Sequence, residues 1–256
     1  MRFCVVGGSG LVGDKVMTAL HDAGHEAVAA SPAFGIDAFT GEGLDEAMAG
    51  ADVVVDVSDA PAWGDERVLA FFTTVTRNAL EAGRRAGARH HVALSVLGAD
   101  RLPGSGYLRA KVAQEALLRG AGVPLAIVRS APFMEALARH AHAGAQDGVV
   151  RVPDARVQPV AAVEVARLVA AVAARPRVDG VVEIAGPDRL TFAGAVGRML
   201  AASGDARPVV ADPGARYLGA AVAGDVLLPG AAARIARVGL DDWLARGRAH
   251  LVAGRA

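Results

Sequence analysis

The stretch VVGGSGLVGDKV, residues 5–16, joins the end of an apolar run to three glycines spaced three residues apart. Glycine permits the unusual dihedrals of a tight turn, lets a pyrophosphate approach bare backbone, and lets the next helix pack closely on the strand. A helix that begins here also presents unpaired N–H groups to phosphate oxygens. The stretch therefore predicts a strand–turn–helix unit that binds a dinucleotide, and the alternative is a tight turn without a ligand. The predicted cofactor contacts are Gly7, Gly8, Ser9, Gly10, Leu11, Val12 and Gly13.

Short β-branched runs alternate with helix-length segments through the first 130 residues. The run ADVVVDVS (51–58) predicts a buried strand, the segment 65–87 a long helix, and GIDAF (35–39) a weak strand. This alternation predicts an α/β protein with a Rossmann-type, doubly wound parallel sheet. Residues 1–130 would form the NAD(P)-binding core. Residues 131–256, where the pattern loosens, would complete that core and form a small C-terminal substrate lobe within one structural unit.

The composition excludes several classes of protein. Apolar residues make up 53% of the 256-residue chain, which is incompatible with disorder, and the formal net charge is zero. We therefore expect neither nucleic acid nor a membrane as a partner, and a monomer or homodimer that acts on a small molecule. The single cysteine, Cys4, cannot form a disulfide within the chain, and no apolar run reaches the length of a membrane span. These features predict a cytoplasmic protein.

The end of the second predicted strand bears on the choice of cofactor. An acidic residue there usually binds the ribose of NAD(H), but this chain has Ser31 in the sequence AASP. The missing acid favours NADP(H) over NAD(H), with Ser31 as a phosphate or ribose contact. Against this, no arginine occurs between Arg2 and Arg67. The sequence therefore favours NADP(H) without excluding NAD(H).

A tyrosine and a lysine four residues apart follow the fourth core strand. Tyr107 and Lys111 would lie on one face of a helix, and Ser95 stands near the carboxyl end of the preceding strand. A lysine ammonium would lower the pKa of the tyrosine, which could then exchange a proton with a carbonyl oxygen during hydride transfer. Ser95 would hold the same oxygen. The alternative is that Lys111 only solvates an exposed helix face.

These motifs together resemble the short-chain dehydrogenase/reductase superfamily, in its atypical, NmrA-like branch. The resemblance runs from residue 1 to about residue 186. The segments that support it include GGSGLVG, ADVVVDVS, HHVALSVLG followed by GYLRAKVAQE, and VPLAIVRSAPFME. One departure is that Phe72 stands where many members carry an active-site asparagine.

The resemblance implies roles for residues outside these motifs. Asp37 would reach the adenine, Val57 and Ser58 would line the ribose, and Ala131 and Phe133 would flank the nicotinamide. The substrate would meet Met134, Glu135 and the C-terminal lobe. Trp63 follows the ribose-lining strand and either caps the pocket or anchors a surface loop. No metal site is expected, because the neighbouring His90 and His91 would point to opposite faces of a strand.

The sequence thus predicts an enzyme, an NAD(P)H-dependent oxidoreductase that reduces a ketone, quinone or enone with tyrosine as the proton donor. Two alternatives remain open. One is a non-catalytic, NmrA-like regulator that senses the dinucleotide, and the other is an isomerase or epimerase that uses a bound cofactor.

Overall fold

A computed structural model of the chain describes residues 1–61, 64–175 and 180–253, with only the backbone of residues 248–253. Its strands, in chain order, are β1 (Arg2–Val6), β2 (Glu26–Ala30), β3 (Val53–Asp56), β4 (His90–Val96), β5 (Leu125–Ser130), β6 (Ala145–Gln146), β7 (Val149–Val152), β8 (Arg156–Val157), β9 (Gly180–Ala185), β10 (Leu190–Thr191), β11 (Val209–Ala211), β12 (Arg216–Tyr217), β13 (Ala220–Ala221) and β14 (Arg234–Ile235). Its helices are α1 (Gly13–Asp22), α2 (Leu44–Met48), α3 (Asp65–Ala86), α4 (Gly106–Arg119), α5 (Leu137–Ala143), α6 (Ala162–Ala173), α7 (Phe192–Ala202) and α8 (Leu240–Ala253).

Seven strands form one parallel sheet in the order β14-β9-β5-β4-β3-β1-β2. The order reverses direction between β1 and β3, because the chain builds β2 on one side of β1 and the later strands on the other. Ligands bind at such a reversal, beyond the carboxyl ends of the strands. The predicted doubly wound, Rossmann-type sheet is therefore confirmed.

Helices cover both faces of the sheet, because alternate side chains of each buried strand point to opposite sides. Phe3 and Val5 of β1 lie in one apolar cluster with residues of α1 and α6. Cys4 and Val6 of the same strand lie in a second cluster with residues of α2 and α3. This two-sided burial explains why the strand sequences are continuous apolar runs rather than alternating ones.

The C-terminal part of the chain both extends the sheet and forms a lobe. This part of the chain contributes β9 and β14, which extend the parallel sheet on the outer side of β5. A separate apolar cluster contains Leu137 of α5, Phe192 of α7, Tyr217 of β12 and Leu240 of α8, and it also includes Leu108 of α4. The lobe therefore packs directly on the helix that carries Tyr107.

The weak strand predicted at 35–39 is wrong. Its segment instead forms a turn, in which Asp37 makes an isolated bridge with Glu42 and its carboxylate accepts a hydrogen bond from the Phe39 N–H at 2.8 Å. An aspartate that bonds the backbone two residues ahead stabilises a turn at the expense of a strand. Within the described ranges, no helix has both the length and the apolar character needed to cross a membrane.

Candidate active site

A cavity of about 460 Å³ opens along the carboxyl ends of the parallel strands. It brings together residues that the sequence predicted separately, from the glycine turn to α4. The predicted residues that line it are Gly7, Ser9, Gly10, Leu11, Val12, Ser31, Asp37, Val57, Ser58, Ser95, Tyr107, Lys111, Ala131 and Phe133.

The glycines of the turn divide into two kinds by what a side chain would meet. A Cβ on Gly7, which has φ +80°, would come within 2.7 Å of the Ser58 Cα. One on Gly13 would come within 2.1 Å of the Gly7 carbonyl oxygen. Gly8 is buried against Ala29 and, like Gly13, is not among the residues that line the cavity. Gly10 lines the cavity, and the nearest described atom to a Cβ at Gly10 would be the Gly7 carbonyl oxygen, at 3.3 Å. Gly10 therefore leaves room for a ligand, whereas Gly13 lets α1 pack on the turn.

One end of the cavity lies beyond β2 and carries a buried, unpaired hydroxyl. Ser31 is 4% exposed, and its Oγ has no hydrogen-bond partner within the described ranges. Such a group usually hydrogen-bonds to a ligand or to an ordered water. The described cationic side chains that line the cavity are Lys111 and Arg139, which belong to α4 and α5 rather than to the elements around β2.

Tyr107 and Lys111 lie one turn apart on α4, as the spacing predicted. Ser105 caps this helix, because its hydroxyl accepts a hydrogen bond from the Leu108 N–H at 3.1 Å. The ring of Phe72 packs edge-on against Tyr107, with centroids 5.6 Å apart, and the Lys111 Nζ lies 4.2 Å from the Phe72 centroid. Phe72 therefore contacts both members of the pair from α3.

Lys111 is buried and held by a chain of hydrogen bonds. The side chain is 3% exposed, so the alternative of a solvated helix face is wrong. Its ammonium donates to Gln114 Oε1, and Gln114 Nε2 donates to Asp56 Oδ2 at 2.8 Å. The other oxygen of Asp56 accepts from the Ser58 hydroxyl at 2.6 Å. Burial lowers the pKa of Lys111, although the nearby carboxylates oppose that shift.

The tyrosine hydroxyl donates a hydrogen bond to Asp59 Oδ1 at 2.9 Å. Burial raises the pKa of Tyr107 well above its ordinary value, and the adjacent Asp59 carboxylate raises it further. The sequence predicted the opposite direction, with Lys111 lowering this pKa. The difference arises because the ammonium is directed at Gln114 while the hydroxyl is directed at a carboxylate.

Ser95 is placed at the cavity, but its hydroxyl points at a buried ion cluster. It donates to Glu115 Oε1 at 2.6 Å. Arg129 binds both oxygens of Glu115, and Arg119 binds one of them at 2.8 Å. Burial disfavours the carboxylate, but these hydrogen bonds outweigh it and hold the pKa of Glu115 below its ordinary value. Since a hydroxyl has one proton, Ser95 is not in a position to donate to a substrate oxygen here, and that role stays a prediction.

The residues predicted to meet substrate lie elsewhere. Met134 is 1% exposed within the lobe cluster, and Glu135 accepts hydrogen bonds from the Ala162 N–H, at the start of α6, at 3.1 Å. Neither is among the residues that line the cavity. Trp63 lies outside the described residues.

Four polar or aromatic residues near Tyr107 were missed: Asp59, Arg139, His140 and Tyr217. The stacked rings of His140 and Tyr217 are 5.5 Å apart. Asp59 had a detectable signal, because it follows the carboxyl end of a predicted strand. Tyr217 had none, because it is far along the chain and reaches the cavity only through the packing of the lobe.

Within the described ranges, no group of three or more His, Cys, Asp or Glu side chains is arranged to hold a metal ion.

Solved structures share this architecture across nearly the whole chain. An NADPH-dependent quinone oxidoreductase from Escherichia coli aligns with a TM-score of 0.72 and 17% identity, covering 96% of this chain and 99% of that one. A short-chain dehydrogenase/reductase superfamily protein from Agrobacterium tumefaciens, with bound NAD, aligns at 0.70 and 16% identity, covering 100% and 99%. The chain has the short-chain dehydrogenase/reductase fold.

The same fold serves more than one reaction. A UDP-glucose 4-epimerase from Bifidobacterium longum, in complex with NAD⁺ and UDP, aligns with a TM-score of 0.71 and 14% identity, covering 96% of each chain. No protein-family model and no curated protein matches the sequence. These likenesses show the fold alone, and the activity has to be argued from the site.

Proposed function

We propose that the protein is an NAD(P)H-dependent oxidoreductase that reduces a carbonyl or conjugated carbonyl, in a ketone, quinone or enone, with Tyr107 as the proton donor. The observation that carries the proposal is that one cavity holds both the open glycine turn and the adjacent Tyr107 and Lys111. A hydride-transfer site needs a dinucleotide cradle and a proton donor within reach of the same substrate.

The cavity fits a dinucleotide. The backbone at Gly10 is open, and Ser31 presents an unpaired buried hydroxyl beyond β2. A bound nicotinamide would supply the hydride. The residues that would hold the cofactor are Gly7, Ser9, Gly10, Leu11 and Val12 of the glycine turn, with Ser31, Asp37, Val57, Ser58, Ala131, Phe133 and Lys111.

Tyr107 holds the proton that a reduction needs. A tyrosine with an ordinary or raised pKa is protonated at neutral pH, so its hydroxyl carries a proton that a substrate oxygen can take. As the carbonyl carbon gains a hydride, the Tyr107 O–H bond breaks and the oxygen gains that proton. Lys111 lies one helical turn away on α4, and its proposed role is to help hold the cofactor.

The proposed cofactor is NADP(H). The residue that follows β2 is Ser31 rather than an aspartate or glutamate, so it would not repel a 2′-phosphate, and its hydroxyl is available there. The cations described in the cavity belong to α4 and α5, across several strands from Ser31. We therefore propose that NADP(H) is preferred by a modest factor.

Replacing Tyr107 by Phe removes the proton donor and keeps the aromatic ring that packs on Phe72. We expect kcat to fall by about 100-fold or more, the usual contribution of a general acid, while the Kd for NADPH changes by less than about twofold. NADPH consumption with a panel of quinones, ketones and aldehydes measures the first, and fluorescence titration the second.

Unchanged turnover in the Tyr107→Phe variant would remove Tyr107 from the mechanism. Two other results would favour the alternatives. Product formed from a nucleotide sugar without net consumption of cofactor would indicate an epimerase. Tight binding of NADPH without turnover on any substrate would indicate a dinucleotide-sensing regulator.

A further inference from the structure

We propose that Asp59 is a second catalytic residue, which carries a proton from solvent to Tyr107. The proposal rests on the proposed function of Tyr107 as the proton donor. Its basis is a direct contact, since the Tyr107 hydroxyl and Asp59 Oδ1 lie 2.9 Å apart. A carboxylate at hydrogen-bond distance from a catalytic hydroxyl is within reach for proton transfer.

Asp59 connects a partly buried donor to water. Tyr107 is largely enclosed between Phe72 and the C-terminal lobe, whereas Asp59 is exposed in the loop after β3. The N–H of Ala60 also donates to Asp59 Oδ1, at 2.9 Å, and this contact holds the carboxylate in the loop. Both Asp59 and Tyr107 line the cavity. One side chain therefore spans the distance between solvent and the tyrosine hydroxyl.

The lysine does not offer an equivalent route. Lys111 is 3% exposed and donates to Gln114, which donates in turn to the 5% exposed Asp56. An amide does not readily pass a proton, and the oxygens of Asp56 already accept hydrogen bonds from Gln114 and Ser58. Phe72 packs against both Tyr107 and Lys111 and offers no group that carries a proton. The hydrogen bonds behind Lys111 thus run through Gln114 and Asp56 to Ser58, and the Gln114 amide interrupts them as a route for a proton.

The proposed step balances. When Tyr107 gives its proton to the substrate oxygen, it becomes a phenolate. The Asp59 carboxylate takes a proton from hydronium in the solvent, and the carboxylic acid then transfers it to the phenolate. One hydride from the cofactor and one proton from solvent thus reduce one carbonyl, and both Tyr107 and Asp59 return to their starting forms.

Other charged groups near this pair affect its pH dependence. Arg139 of α5 and Tyr217 of β12 face Tyr107, and α3 contributes the uncharged ring of Phe72. Lys111 lies one turn further along α4 and is close enough to interact with Asp59. Because all the variants below keep these groups, a difference between two pH profiles is caused by the side chain that was substituted.

The test compares Asp59→Asn with Asp65→Asn. Asparagine keeps an oxygen that can accept from Tyr107 but carries no proton between water and the phenol. Asp65 is a matched control, because it is also an exposed aspartate that contacts α4, through Arg109 at 2.7 Å, but it does not line the cavity. Steady-state kinetics over pH 5.5–9, in H₂O and D₂O, and NADPH titrations measure the effects.

We expect Asp59→Asn to lower kcat by roughly 10- to 100-fold, with KM and the Kd for NADPH within about twofold. The loss should grow as pH rises and hydronium becomes scarce, and the solvent isotope effect on kcat should increase. Asp65→Asn should match the wild type. In Asp59→Ala, formate or acetate should restore part of the lost turnover by replacing the missing carboxylate.

Wild-type kcat in Asp59→Asn, beside an inactive Tyr107→Phe, would overturn the relay and leave the proposed function intact. A loss in Asp59→Asn that falls mainly on KM, with no rescue of Asp59→Ala by formate, would also overturn it, because Asp59 would then bind substrate. Wild-type turnover in Tyr107→Phe would overturn the proposed function, and the relay with it. Thermal melting of each variant separates these results from loss of fold.

Discussion

At the scale of single residues, two polar side chains that line the cavity bear on its function. Ser31 holds an unpaired hydroxyl beyond β2, and Asp59 accepts the hydrogen bond of Tyr107. Each occupies the carboxyl end of a strand, where side chains of a parallel sheet meet a ligand. A change of one functional group at either position should therefore alter binding or turnover without altering the fold.

Ser31→Asp should reverse the cofactor preference. A carboxylate at this position would repel a 2′-phosphate and would accept hydrogen bonds from the ribose hydroxyls of NADH. We expect the Kd for NADPH to rise by about tenfold or more, equal to about 1.4 kcal/mol, and the Kd for NADH to stay equal or fall. Fluorescence titration with both cofactors measures the change.

Ser31→Ala is the matched control, since it removes the hydroxyl without adding charge. It should weaken NADPH binding by only a few fold, as expected for one neutral hydrogen bond. If Ser31→Asp binds NADPH as the wild type does, Ser31 does not contact the 2′-phosphate.

At the scale of elements, the glycine turn combines a packing role with a binding role. Gly13 begins α1 and lies against the Gly7 carbonyl, whereas Gly10 faces the cavity. The sequence pattern treats these glycines alike. The structure separates them because a Cβ would meet backbone at Gly13 and mostly open space at Gly10.

Substitution by alanine should separate the two roles. In Gly13→Ala the new Cβ would lie within 2.8 Å of Gly8 Cα as well as against the Gly7 oxygen, so the backbone must shift. We expect a loss of about 1–3 kcal/mol in the free energy of unfolding. Gly10→Ala should cost less than about 1 kcal/mol but raise the Kd for NADPH by about tenfold or more, because its methyl group enters the cavity.

Urea denaturation and NADPH titration of both variants test this division. Equal losses of stability in the two variants would contradict it. Unchanged NADPH affinity in Gly10→Ala would show that the cofactor does not approach the backbone there.

At the scale of the whole molecule, burial of ionisable groups links stability to pH. His91 of β4 is 3% exposed and packs against α3 at Gly83. Burial lowers its pKa to about 4, and neighbouring His90 adds to the shift. The unfolded chain, with an ordinary histidine pKa of about 6.5, therefore binds this proton at a higher pH than the folded chain does.

The free energy of unfolding should consequently fall as pH drops from about 6.5 to 4, by about 1.4 kcal/mol per pH unit from this group. Above pH 6.5 the His91 imidazole is neutral in both the folded and the unfolded chain, so His91 no longer changes the free energy of unfolding with pH. His91→Asn should flatten the pH dependence over this window relative to the wild type. His142→Asn, at an exposed histidine of α5, should leave the wild-type slope unchanged.

Urea unfolding at pH 8, 6 and 5 measures how the free energy of unfolding depends on pH in the wild type, His91→Asn and His142→Asn. Parallel curves for His91→Asn and the wild type would mean that the folded protein accommodates a protonated His91.

The sequence predicted the features that depend on local interactions and missed those that depend on contacts between distant segments. The strands β1 to β5 and the helices α1, α3 and α4 were predictable because apolar runs, helical periods and glycine turns are local. The strand β14 was missed because two residues are too few to show a period, and the helix α8 was missed as well. The lower pKa expected for Tyr107 was wrong because its nearest carboxylate lies 48 residues away.

The sequence by itself determined the fold and the placement of Tyr107 and Lys111 on one face of a helix. The turn that begins at Gly7 and the four-residue spacing of Tyr107 and Lys111 depend only on neighbouring backbone, so they can be read locally. Only the tertiary structure decided what those side chains contact. The sheet order places Asp59 of the β3 loop at the Tyr107 hydroxyl, and the side chain of Gln114 links the Lys111 ammonium to Asp56 of β3. Such contacts join distant segments, and burial then sets the protonation states on which the chemistry depends.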